Sequence, residues 1–242
     1  MQRQLSVGDT LNRVFAIYGS QAGVLLPVAF WLFLVVAIVD GLVGANLALF
    51  PVVVIVSMVA ATLYQGMVVG LVRDVQEGRT DSSFSELLGY ATPVLLPLIG
   101  AGLLSGLGIG IGMVLLIAPG LFLLTIWAVI APVIVIERSG VIDAFKRSRE
   151  LVRGNGWPVF WVVIVAFLIA FAGSLIFGAI ANSVSDGPLV RIVFSALAST
   201  ITAPITALVA GVLYYLLLGF QAPSPTAAAD PPPVDPPPPP VA

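Results

Sequence analysis

Residues 138–153, RSGVIDAFKRSRELVR, carry five of the chain's ten Lys and Arg side chains, and on both flanks the charges stop. The run before it, 87–136, and the run after it, 154–185, contain no Asp, Glu, Lys or Arg at all. A helix needs about 20 apolar residues to cross the hydrocarbon of a bilayer. The preceding run, at 50 residues, therefore holds two spans and a short turn, and the following run holds one. Farther out, the uncharged runs 14–39 and 41–72 fit one span each, and 192–229 holds one more that ends near Phe220. Six spans result, with both ends of the chain on the same side.

Composition agrees. With 59% hydrophobic residues, 9% charged residues and a mean hydropathy of +1.11, a soluble domain would present one large apolar patch to water. The expected fold class is all-α, a polytopic membrane protein of six transmembrane helices with short amphipathic interfacial helices. Residues 1–220 form the membrane domain. The segment 221–242 holds ten of the 19 prolines and is expected as a disordered, polyproline-II-rich cytoplasmic tail that either stays solvated or docks to a partner's aromatic groove. The N-terminus lacks a compact basic segment leading into an apolar core and a small-residue cleavage site, so the first span is expected to direct insertion itself.

The basic residues orient the bundle. Arg3 and Arg13 precede the first span, Arg73 and Arg79 lie between the second and third, and the quoted stretch lies between the fourth and fifth. With alternating spans these nine share a face, and Arg191 alone lies opposite. Short loops rich in Lys and Arg stay in the cytoplasm. Both termini are thus expected there, in a multi-pass protein of the cell membrane.

Cys and His are absent, which removes thiolate nucleophiles, imidazole acid–base chemistry and Cys/His metal sites. No cofactor is expected, no nucleic acid partner, and no catalysis. Asp74, Glu77, Asp81 and Glu86 cluster between spans two and three, but their spacing fits turns and caps better than a metal site. The glycines at 100, 102, 106, 108, 110 and 112 lack the Lys-Ser/Thr of a nucleotide loop and read as a turn near 105–112 between closely packed helix ends.

A short pattern recurs before the first, third and fifth spans. Ser6 is followed three residues on by Asp9, Ser83 by Glu86, and Gly140 by Asp143. Each acid can meet the exposed amides of a helix N-terminus, and the two serines complete capping boxes. The recurrence fits three repeats of interfacial helix plus hairpin. It also fits the common placement of a capped amphipathic segment before a span. In the third copy Val141, Ala144, Phe145, Ser148 and Val152 share one face, while Asp143 and Arg147 make an i,i+4 pair on the other. Such a helix lies in the interface, where Arg13, Lys146, Arg147, Arg149 and Arg153 can reach lipid phosphates or a protein partner.

Inside the spans, Pro51 and Pro158 mark helix starts, whereas Pro27, Pro132 and Pro204 lie deep enough to kink. The polar supply is thin: Tyr64 and Gln65 in span two, and Ser195, Ser199, Thr202 and Thr206 along one face of span six. Helix packing and intrahelical bonding account for these more readily than a hydrophilic path.

Three segments carry a resemblance: Pro119-Gly120-Leu121-Phe122-Leu123, Trp127-Ala128-Val129-Ile130-Ala131-Pro132-Val133, and 144–157, AFKRSRELVRGNGW. With the opening Val7-Gly8-Asp9-Thr10-Leu11, Phe15 and Tyr18, they resemble the membrane domain fused to some bacterial glycerophosphoryl diester phosphodiesterases, and related stand-alone integral membrane proteins of unknown function. The resemblance runs from residue 5 to about residue 220 and implies a bacterial inner-membrane protein. The catalytic barrel of those enzymes works through His and acidic residues, and no counterpart exists here. The resemblance implies a domain that anchors, organises or senses near lipid metabolism. A transporter, or a transporter subunit, for a small or lipidic substrate is the alternative.

Overall fold

A computed structural model describes residues 5–43, 46–79, 81–184 and 187–221. Among these the regular structure is helical: α1 (Val7–Val43), α2 (Phe50–Gln76), α3 (Phe84–Ala91), α4 (Leu95–Leu115), α5 (Ile117–Ile126), α6 (Ile130–Glu137), α7 (Val141–Val152), α8 (Gly156–Val184) and α9 (Pro188–Gln221). Six units are long and apolar enough to span a membrane: α1, α2, α3 with α4, α5 with α6, α8, and α9. The chain is an all-α, six-span polytopic membrane protein. Arg3 and the proline-rich tail beyond Gln221 lie outside the described residues.

The most enclosed helix is α9, which packs against α1 on one flank and α8 on another, with α2 and α6 completing the contact. Its Leu208, Leu213 and Leu217 are fully buried with Val68, Leu71 and Val72 of α2 and Val133 and Ile134 of α6. Helices α4 and α8 border lipid instead, with Leu96, Leu107, Phe167 and Leu175 exposed along them. Lipid tails are as apolar as leucine, so spans associate through close packing at small residues rather than through water exclusion. A Cβ on Gly211 would stand 3.0 Å from Val72, and one on Gly173 would stand 2.8 Å from Thr202.

Three local expectations change. The N-terminal amphipathic segment is not a separate interfacial helix; it forms the first turns of the continuous α1. The glycine-rich segment is helical to Leu115, and the turn comes later, at the extended residue Leu116. Close packing there rests on the Gly112–Gly120 pair, since a Cβ on Gly112 would be 2.9 Å from the Gly120 Cα, and on Gly108, where a Cβ would be 2.8 Å from the Trp127 ring. Pro27 and Pro204 sit inside helices that continue through them, and of these three deep prolines Pro132 alone accompanies a break, at Trp127–Val129. Pro51 and Pro158 do open helices.

The recurring caps share a burial register. Four residues past each cap stand Thr10, Leu87 and Ala144; eight past stand Val14, Ala91 and Ser148; eleven past stand Ile17, Val94 and Leu151. All nine are buried. Ser6 and Ser83 each accept from the amide three residues on, Asp9 and Glu86, and Glu86 returns the contact to the Ser83 amide at 2.7 Å.

Candidate functional site

The basic helix α7 is positioned by the break in span four. Proline at 132 has no N–H for the carbonyl of Ala128 and crowds it, so the helix loosens one turn earlier. The amide of Ile130, which would serve the Ile126 carbonyl in an unbroken helix, donates to Trp127 at 3.3 Å. The Ser148 hydroxyl of α7 donates to the Ile126 oxygen at 2.8 Å, from a side chain that is 0% exposed. Phe145 meets Trp127 edge-to-face, with ring centroids 4.8 Å apart. The expected apolar face of α7 is thus the docking face, but it seats on protein rather than on lipid.

A second attachment comes from charge. Glu137 ends α6, and Arg138 turns the chain through a left-handed conformation, φ 53°. This folds α7 back so that the Arg147 Nε reaches the Glu137 carboxylate at 3.1 and 3.2 Å. Tyr214 of α9 donates to the same carboxylate at 3.0 Å. The expected Asp143–Arg147 pair does not form: Arg147 engages Glu137 and approaches Glu150, and Asp143 sits 3.5 Å from Lys146 with both side chains at least 70% exposed. A pair so exposed contributes little. Of the five basic residues expected to meet lipid or a partner, Arg147 is the one paired with a partly buried carboxylate. Arg149 and Arg153 remain exposed and form no ion pair among the described residues, and the same holds for Arg13 on α1.

The middle copy has a parallel attachment. Seven residues past its cap, Tyr90 donates to Asp74 at the end of α2, at 2.8 Å, just as Arg147 reaches Glu137 at the end of α6. Asp74 is 2% exposed and also accepts from Ser82 at 2.7 Å and from Arg79. Arg79 in turn reaches Glu77 at 2.9 Å. Arg73, donating to Glu77 at 2.8 Å, holds that carboxyl below the ordinary carboxylate range. Three of the four acids between spans two and three thus act in a turn and a cap. Sequence reasoning missed the seat beneath: Gly66 and Gly70 admit α3 so closely that added Cβ atoms would lie 2.8 Å from the Ala91 Cβ and 2.7 Å from the Tyr90 Cγ. The signal was present as Gly-x-x-x-Gly, a small-residue face at one-turn spacing.

The intramembrane polar positions do not converge. Tyr64 is buried and donates to the Leu25 carbonyl of α1 at 3.3 Å, and Gln65 beside it is half-buried. Ser195, Thr202 and Thr206 each donate to a carbonyl of their own helix, at 3.1, 2.8 and 3.1 Å. Ser199 is half-buried on the same helix.

Comparison with known proteins places this architecture. The chain belongs to the family described as a domain of unknown function, DUF7847, whose model matches residues 11–229. It is also similar to a UPF0259 membrane protein of Pectobacterium carotovorum subsp. carotovorum (strain PC1). The two are 40% identical over 100 residues, a stretch that covers 41% of this chain and 39% of that protein. The chain is accordingly a multi-pass bacterial membrane protein. No solved structure matches it. Neither description carries an activity.

Proposed function

We propose that this family member is a non-catalytic protein of the bacterial inner membrane that organises or anchors at the cytoplasmic surface by engaging anionic lipid head groups. The observation that carries the reading is the sorting of charge on α7. Arg147 is bound to Glu137, whereas Arg149 and Arg153 are exposed without an ion pair among the described residues and Lys146 has only a solvated partner. A Lys or Arg held near an anionic membrane surface contributes about 1 kcal/mol of attraction. The resemblance to membrane domains fused to glycerophosphodiester hydrolases adds a context in lipid metabolism.

Transport is the weaker reading. A path through the bundle needs polar groups free to meet a substrate, and the hydroxyls of Tyr64, Ser195, Thr202 and Thr206 already serve backbone carbonyls.

Thermal unfolding of the purified chain in zwitterionic detergent, with added phosphatidylglycerol or phosphatidylcholine, tests the proposal. Phosphatidylglycerol is expected to raise the midpoint more than phosphatidylcholine, and the triple change Lys146→Gln, Arg149→Gln, Arg153→Gln is expected to abolish the difference. Equal stabilisation of the unaltered protein by both lipids would sink the reading.

A further inference from the structure

The exposed cations on α7 and at its C-terminal end stand over a groove. Lys146, Arg149, Glu150, Val152, Arg153, Phe122 and Ile126 line a concavity of about 630 Å³ between α5 and the α7–α8 corner. It adjoins a second, almost wholly apolar, of about 470 Å³, lined by Ala118, Leu121, Phe122, Thr125, Trp157 and Phe160. Phe122, Ile126 and Gly156 belong to both, so the two form one channel, charged at one end and greasy along the other. The corner that opens it depends on Gly154, whose φ of +91° turns α7 into α8. Trp157 stacks on Phe160, with centroids 5.3 Å apart, and forms one wall. The single acid on the rim, Glu150, leans toward Arg147 at 3.9 Å.

We infer that this channel binds one anionic phospholipid from the cytoplasmic leaflet, with its phosphate at Lys146, Arg149 and Arg153 and one acyl chain along Phe122, Trp157 and Phe160. Charge and shape select this occupant together. Three cations match a phosphodiester and its surroundings, the long side chains reach the head-group level while their stems cover apolar surface, and a hydrocarbon chain suits walls with almost no polar lining. A soluble phosphate ester would meet the charges but leave the apolar arm empty. A neutral lipid would fill the arm but leave the cations without a counter-charge. This assignment rests on the anionic-lipid reading above and narrows it from a surface to a site.

Native mass spectrometry of the purified full chain, titrated with phosphatidylglycerol, phosphatidylcholine or glycerol 3-phosphate, tests it. Gly156 provides the decisive variant, because it lines both concavities and a Cβ there meets nothing within 4 Å; Gly156→Phe adds bulk at their junction, and a circular dichroism spectrum and unfolding midpoint like those of the unaltered chain check that the fold is kept. Phe122→Ala, at a side chain already 59% exposed, widens the channel instead. The expected result is one tightly held phosphatidylglycerol per chain, no comparable glycerol 3-phosphate adduct, about tenfold weaker phosphatidylglycerol binding in Gly156→Phe through lost acyl-chain burial, and about a hundredfold weaker binding in Lys146→Gln/Arg149→Gln/Arg153→Gln. Phe122→Ala is expected to weaken it less. If phosphatidylglycerol remains preferred but Gly156→Phe and Phe122→Ala bind it like the unaltered chain, the channel assignment fails while the charged-surface reading stands. If the unaltered chain takes both phospholipids equally, both fail.

Discussion

A serine on an amphipathic helix ordinarily faces water, yet Ser148 is completely buried because the broken span above it leaves a carbonyl to be satisfied. Leaving such an acceptor unpaired in an apolar surround costs about 1–3 kcal/mol, and measured hydrogen bonds within membrane proteins fall toward the low end of that range. Ser148→Ala should therefore destabilise the protein by about 1 kcal/mol, read as an earlier midpoint in unfolding by sodium dodecyl sulfate. An unchanged midpoint would mean that the Ile126 carbonyl finds another donor. The serine's place on the buried face was legible from helical periodicity. Its partner was not, because prolines 27, 132 and 204 look alike in sequence and only one accompanies a break. Arg147 shows the same limit. Its i,i+4 neighbour Asp143 is the local expectation, but the turn at Arg138 brings Glu137 nearer, and periodicity carries no information about a corner.

At the scale of the element, α3 and α7 are solved alike: a short helix, capped by Ser83 and Glu86 in α3 and opened by Gly140 without a side-chain cap in α7, an apolar face set at fixed offsets from its start, and a polar side chain seven residues on that grips the end of the preceding span. The faces and the α3 cap could be read directly, since both follow from local geometry, whereas Asp143 makes no cap contact in α7. The seats could not be read from α3 or α7 themselves, because they belong to other helices: the Gly66/Gly70 notch of α2 for one, the break before α6 for the other. This makes Gly70 a sensitive position. A valine there would drive its Cβ into the Tyr90 ring, and overpacking of that kind costs about 1–3 kcal/mol. Gly70→Val should lift α3 from α2 and separate Tyr90 from Asp74, so amide hydrogen exchange across 84–91 is expected to speed up while exchange in α7 stays unchanged. Equal acceleration in both helices would instead indicate a general loosening of the bundle.

For the whole molecule, the span count was legible because hydrocarbon thickness acts on the chain without reference to its tertiary fold. Which spans face lipid and which are enclosed was not, since α8 and α9 are both long and apolar yet differ sharply in burial. The chain's lack of cysteine allows a direct test of the arrangement. Single cysteines at Ser85 and Asp143, both exposed, should react with an impermeant thiol reagent only from the cytoplasmic side, and one at Asn46 only from outside. Labelling of Ser85 and Asp143 from opposite sides would overturn the alternation. The double fastening of α7 has a further consequence. Ser148 and Arg147, neighbours along the chain but held by different partners, leave the helix no freedom to roll about its own axis. It is keyed like a shaft in a slot, so its free cations keep one compass bearing on the bundle's perimeter. The surrounding bilayer then meets an object that carries this electrical mark at one fixed place on its rim, and any neighbour drifting in the membrane plane can tell that flank from the rest.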